Sequence, residues 1–144
     1  MSWITEHQAH RYETHLLSHV DELVRLDSLL TELFQAWEVP EEHQSGILVA
    51  ITEAVSNAIL HGNKQDPSKK VRLLIERTAE LPQLRVVVED EGEGFDPASI
   101  PDPTTAERLL SESGRGIFLM RAFADEVTYQ KGGRCVELKF QLGE

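Results

Sequence analysis

The stretch E-A-V-S-N-A-I-L-H-G-N, Glu53–Asn63, is the most informative in the chain. Glu53, Asn57 and His61 recur every fourth position, and residues four apart share one face of a helix. At about 100° per residue, Ile47, Leu48, Ile51, Ala54, Val55, Ala58 and Ile59 gather on the opposite side. The pattern predicts a helix with one core face and one face bearing a carboxylate, a carboxamide and an imidazole in a row. A carboxylate and a carboxamide one turn apart can hold a water and a divalent cation. A solvated outer face has the same appearance, and this helix alone leaves both readings open. Gly62 is a candidate C-cap.

The flanks set this helix in a fold. Arg11–Leu17 predicts a strand. Ser18–Asp21 has the form of a capping box, and the apolar residues from Val20 to Trp37 recur at helical spacing. A helix from about His19 to Trp37 is expected, broken at Glu38-Val39-Pro40. Pro40, Glu41 and Glu42 suit the start of the next helix. After the polar loop Asn63–Lys70, Val71–Arg77 and Leu84–Glu89 read as strands joined around Leu81-Pro82. The second is nearly continuous in apolar residues and is expected to be central. Asp96–Ser113, with three prolines, is long for a connection and predicts a lid or binding loop. Ile117–Phe123 predicts a short helix, and Glu126–Gln130 with Arg134–Gln141 a hairpin over Lys131–Gly133. The order β-α-α-β-β-lid-α-β-β predicts an α+β fold. Its expected form is a two-layer sandwich, with a mostly antiparallel, mixed sheet and helices on one face. Strict βαβ alternation is absent, which argues against a Rossmann fold.

The 144 residues suit a single domain, 1–144, with the lid at about 96–113. A net charge of −11 argues against direct binding of nucleic acid and suits a protein partner with basic patches. It does not exclude phosphates cradled by a helix end, a cation and a few local donors. No apolar run is expected to span a membrane, and M-S-W-I-T-E-H-Q does not read as a signal peptide. The single cysteine, Cys135, excludes an internal disulfide, and a cytoplasmic location is the inference. Cys135 reads as apolar filler, and Phe34 and Trp37 as core. The six histidines form no H-E-x-x-H motif.

Two glycine elements carry the remaining chemistry. D-x-G-x-G-F at Asp90–Phe95 follows the central strand. A carboxylate there can accept a hydrogen bond from an exocyclic amine such as adenine N6, while Gly92 and Gly94 let the backbone pass close to a flat ring. A tight acidic turn has the same composition. Gly114-Arg115-Gly116 closes the lid and opens a helix, whose first N–H groups suit an anion. Arg115 adds a fixed positive charge for a phosphate, although plain loop punctuation reads the same way. No P-loop sequence is present.

Taken together and in this order, these elements resemble the N, G1 and G2 boxes of the ATP-binding superfamily of gyrase, heat-shock chaperone, histidine-kinase and MutL proteins. Within it, E-A-V-S-N-A-I-L-H-G-N and G-R-G-I-F-L-M are most similar to bacterial anti-sigma-factor serine/threonine kinases, across about His10 to Phe140. The resemblance implies the Bergerat-type ATP-binding fold, with ATP and Mg²⁺ as cofactors. It implies that Asn57 ligates Mg²⁺ and that Glu53 acts as general base or orients the nucleophile. It further implies that Asp90 recognises adenine, that Gly92 and Gly94 shape its pocket, and that Gly114, Arg115 and Gly116 contact phosphates. His61 and Asn63 complete the N box. The implied partners are a sigma factor and an anti-sigma-factor antagonist of the STAS type, and a homodimer is implied as well.

Two departures stand out. Gly133-Arg134-Cys135-Val136 occupies the region where many superfamily members place a threonine near the adenine-binding aspartate. The lid also lacks a lysine, which leaves Arg108 or Arg115 to supply its charge. Two other functions stay open: a non-catalytic ATP-dependent partner switch, which has no need of Glu53, and a sensor histidine-kinase catalytic domain. The latter normally follows a pair of dimerisation helices, whereas one long helix is expected ahead of Glu53.

Overall fold

The computed structural model describes residues 11–78, 82–94 and 112–143, with side chains from 116 onward in the last stretch. The N-terminal segment, Leu81, Phe95, the lid from Asp96 to Ser111 with Arg108, and the Arg115 side chain lie outside what is described. The elements are β1 (Arg11–Leu17), α1 (Glu22–Ala36), α2 (Glu41–Asn57), β2 (Lys70–Thr78), β3 (Gln83–Glu89), α3 (Glu112–Phe123), β4 (Glu126–Gln130) and β5 (Cys135–Gln141). A π-turn, Ala58–Gly62, extends α2.

The strands form one sheet in the order β1-β2-β3-β5-β4. Every adjacent pair is antiparallel, so the expected α+β architecture is present without a parallel pair among the described strands. β3 lies centrally, as its apolar run predicts. Alternation sorts the two faces. Leu73, Val86, Val88 and Leu138 face the helices and join Leu30, Leu33, Ile51, Val55 and Met120 in one core. Trp37 and Phe34 are buried there too.

Leu74, Val87 and Cys135 form a small separate apolar cluster, with no counterpart in the helical core. On the same side of the strands, as the register requires, long charged side chains surround them. Arg72 pairs with Glu13 and Glu89, Arg85 with Glu76 and Glu137, and Lys139 with Glu137 and Glu126. The aliphatic stems of such residues cover apolar surface while their heads stay wet, and Leu74 is only 6% exposed. Cys135 is filler, but of this outer cluster.

Three local expectations are corrected. First, α1 begins at Glu22 rather than His19, and Ser18 does not cap it. Glu22 Oε2 instead accepts the Leu17 N–H at 2.9 Å, while the Ser18 hydroxyl turns inward and donates to the Lys69 carbonyl at 2.6 Å. Second, α3 begins at Glu112, before the predicted Ile117, so Gly114-Arg115-Gly116 lies within its first turns rather than ahead of them.

Third, Gly62 is not the C-cap of its helix. The Asn63 N–H bonds the Ala58 carbonyl at 2.8 Å, five residues back, which makes the last turn a π-turn. The left-handed residues that end the helix are Lys64 (φ 52°) and Gln65 (φ 57°).

By length and composition alone Glu41–Gly62 passes as a membrane-spanning helix, which the sequence reading does not anticipate. In the fold, its Ile47, Ala50, Ile51, Ala54 and Val55 are buried in the domain core.

Candidate functional site

α2 carries Glu53 and Asn57 one turn apart, as the four-residue spacing requires, and both are half-buried. α3 crosses this helix closely. Near its end, a Cβ on Gly46 would lie 2.8 Å from the Phe123 ring. Near its start, a Cβ on Gly116 would lie 2.8 Å from Glu53 Oε2, 3.3 Å from Asn57 Nδ2 and 3.5 Å from Asn57 Oδ1. The structure therefore brings Glu53, Asn57 and Gly116 together, with the α3 backbone passing over the two polar side chains. Neighbouring oxygen donors of this kind suit a hard cation such as Mg²⁺, which takes oxygen ligands and keeps several waters. Gly114 and Arg115 are placed by backbone only, within the first turns of α3.

A second cluster forms where the π-turn meets the end of β3. Asp90 follows β3 directly and is 9% exposed. Its backbone N–H bonds the Arg134 carbonyl at 2.8 Å, and its Oδ1 accepts the Gly92 N–H at 2.7 Å. Gly62 lies directly beneath the carboxylate: any Cβ there would overlap the Asp90 carboxyl group. A Cβ on Gly92 would overlap the Gly62 carbonyl oxygen. Gly62, Asp90 and Gly92 are thus interlocked, and the N box abuts the D-x-G-x-G turn. Burial pushes the Asp90 carboxyl above its ordinary value, against the Gly92 N–H and the Arg134 charge, which pull it down. Among the described residues no group donates a hydrogen bond to Asp90 Oδ2. A desolvated carboxylate with one oxygen fixed and the other open is an acceptor for a ligand N–H.

Gly94 adopts φ 81° and sits against the β4–β5 turn, where a Cβ would overlap the Gly132 carbonyl oxygen and lie 3.2 Å from Arg134 Cγ. Arg134 is exposed beside the Asp90 turn, its Nε donating to the Lys131 carbonyl at 3.2 Å. Cys135 is directed to the outer cluster, and burial raises its thiol pKa.

His61 is exposed. The wider π-turn changes the phase of the helix before that position, so the row of three polar residues does not run on unbroken. Asn63 is 1% exposed and bonded inside the protein. Its Nδ2 donates to Ser18 Oγ at 2.9 Å and the Lys70 carbonyl at 3.0 Å, and its Oδ1 accepts the Glu91 N–H at 2.7 Å.

The sequence reading missed Gly62 as a contact of Asp90 and Ser18 as a partner of Asn63. Gly62 had an available signal: a glycine inside a helix-forming run, with two polar residues after it able to end the helix.

A model of the family described as histidine kinase-like ATPase domain matches residues 16–140. The chain is similar to an anti-sigma F factor of Shouchella clausii, 36% identical over 109 residues that cover 70% of this chain and 71% of that protein. It is also similar to the serine-protein kinase RsbW of Bacillus subtilis, 33% identical over 104 residues, covering 67% of this chain and 64% of that one. The match therefore spans somewhat less than two thirds of the kinase's length.

Among solved structures, the RsbU and RsbW domains of a Mycobacterium tuberculosis protein superpose with a TM-score of 0.63 over 90% of this chain and 31% of that one, at 16% identity. That likeness is one of fold. A blue-light activated histidine kinase of Erythrobacter litoralis gives 0.55 over 72% of this chain and 32% of that one, at 26% identity.

Proposed function

The chain belongs to the histidine kinase-like ATPase domain family, and from that premise we propose that it is a cytoplasmic ATP-dependent serine/threonine protein kinase and anti-sigma factor. Its proposed substrate is a serine or threonine on an anti-sigma-factor antagonist of the STAS type. Its second proposed partner is a sigma factor, held until the unphosphorylated antagonist displaces it. The names of the similar proteins, an anti-sigma F factor and a serine-protein kinase, support this reading. The observation that carries it is the convergence of Glu53 and Asn57 of α2 at Gly116 of α3, with Gly62, in the π-turn that extends α2, lying against Asp90.

In this reading the open oxygen of Asp90 accepts the adenine amine, Gly62 leaves room for that carboxylate, and Gly92 and Gly94 shape the pocket by letting the backbone turn tightly beside it. Asn57 would hold Mg²⁺, which would neutralise charge on the phosphate oxygens. Gly114, Arg115 and Gly116 face the phosphates from α3. Glu53 takes the proton of the acceptor hydroxyl as its oxygen bonds to the γ-phosphorus. The bond from that phosphorus to the bridging oxygen breaks, and ADP leaves. Such transfer is mainly positioning and electrostatic stabilisation.

The test is Glu53→Gln, assayed with Mg-ATP and the cognate antagonist. Transfer to the antagonist is expected to fall by about a hundredfold or more, the scale of a lost general base, with ATP affinity unchanged. Full transfer in the variant removes Glu53 as the base. No transfer by the wild type leaves an ATP-dependent partner switch.

A further inference from the structure

Ser18 closes β1 and belongs to none of the three boxes, yet it is only 3% exposed and bonded on two sides. Its hydroxyl donates to the Lys69 carbonyl at 2.6 Å and accepts Asn63 Nδ2 at 2.9 Å. Asn63 in turn donates to the Lys70 carbonyl and accepts the Glu91 N–H. Glu91 answers with its side chain, Oε2 accepting the Lys70 N–H at 2.6 Å. Beyond the last ladder pair of β2 and β3, Arg72 with Glu89, side chains thus take over the sheet's hydrogen bonding. The residue after β1, the residue after the π-turn, the start of β2 and the second residue after β3 are tied at one point.

Glu91 is the residue between Asp90 and Gly92. Its peptide groups carry the recognising carboxylate on one side and, on the other, the N–H that fixes Oδ1. We propose that Ser18 and Asn63 are positioning residues for base recognition: the hydrogen-bonded chain from Lys69 through the buried Ser18 and Asn63 to Glu91 fixes the peptide that aims Asp90 at the amine of a 6-aminopurine. A buried network with every member satisfied holds one geometry. Removing one member leaves the next donor or acceptor unpaired. The inference rests on the nucleotide reading above, and it assigns Asn63 to aiming the carboxylate rather than to contact with the nucleotide.

The experiment titrates Mg-ATP and Mg-ITP, which carries a carbonyl where ATP carries the amine, into the full chain by calorimetry. Wild type, Ser18→Ala, Ser18→Thr and Asn63→Ala are compared, each corrected for its folded fraction. Wild type is expected to prefer ATP. Ser18→Ala should lower the ATP-to-ITP affinity ratio about fivefold, the equivalent of one hydrogen bond. Asn63→Ala should lower it further, and Ser18→Thr, which restores the hydroxyl, should return it towards wild type.

A ratio unchanged in Ser18→Ala and Asn63→Ala, with both affinities falling together or not at all, overturns the inference and leaves a merely structural tie. So does a wild type that binds ATP and ITP equally. A folded wild type that binds neither overturns the nucleotide reading, and this inference with it. Should Asn63→Ala not fold, the Ser18 pair decides.

Discussion

The two ends of the candidate site are built to different tolerances. At the Asp90 end, backbone meets backbone or a fixed carboxylate: Gly92 against the Gly62 carbonyl, Gly94 against the Gly132 carbonyl, Gly62 beneath Asp90. At the Glu53 end, the α3 backbone meets the tips of two rotatable side chains. In the proposed reading, the end that would select a flat, rigid ring gains from being fixed, and the end where bonds to phosphorus would form and break needs side chains that can follow the reaction.

Gly92→Ala should break the rigid end most severely. Its Cβ meets a carbonyl oxygen that only a backbone shift can move, and a loss of about 3 kcal/mol is expected. Urea unfolding measures it, and ATP affinity should be lost with it. A variant with wild-type stability and affinity would mean the corner is looser than its contacts imply.

Gly116→Ala should separate stability from activity. The helix gains about 1 kcal/mol from alanine over glycine, while the new methyl displaces the end of Glu53. Stability is expected to stay near wild type, with phosphoryl transfer down by about tenfold to a hundredfold from misplacement of the reacting groups. Should the variant unfold instead, the Glu53 end is as rigid as the other and the contrast fails.

Asp90→Asn gives the smallest change in stability and sharpens the contrast by its sign. The carboxyl pKa is raised by burial, so the ionised form costs the fold free energy at neutral pH. That cost is relieved as pH falls through the raised value. The asparagine keeps the Oδ1 acceptor for the Gly92 N–H and drops the charge. The variant is expected to melt at or above the wild-type temperature at pH 7, with the difference gone below about pH 4, the ordinary aspartate range. Its ATP affinity should collapse. A lower Tm at pH 7 would show that the ionised carboxylate is held by more than it loses to burial.

The sequence disclosed what periodicity controls. Four-residue spacing put Glu53 and Asn57 on one side of α2, and the nearly continuous apolar run before Asp90 marked β3 as the central strand. What periodicity does not encode went unread. The π-turn is a matter of which carbonyl the Asn63 N–H selects, and no side-chain pattern marks it. Gly62 looks the same whether it supplies a left-handed cap or room for a carboxylate, and only the position of Asp90 separates the two. Ser18 three residues before Asp21 has a cap's spacing, but Lys69 and Asn63, remote in sequence, compete for its hydroxyl and win. α3 starts at Glu112, ahead of Gly114 and Gly116, and two glycines, weak helix formers, hide a first turn from any propensity pattern.

The ion-paired outer face of the sheet bears on how the molecule meets others. There Arg11, Arg72, Arg85, Lys131 and Lys139 pair with Glu13, Glu76, Glu89, Glu126 and Glu137, five cations with five carboxylates. That set is neutral, so the whole formal excess of −11 is carried elsewhere in the chain. A protein with its charge distributed this unevenly attracts a basic partner from a distance and turns it on approach. Encounters are steered away from the paired lattice at low ionic strength, and physiological salt confines that bias to within about a nanometre of the surface.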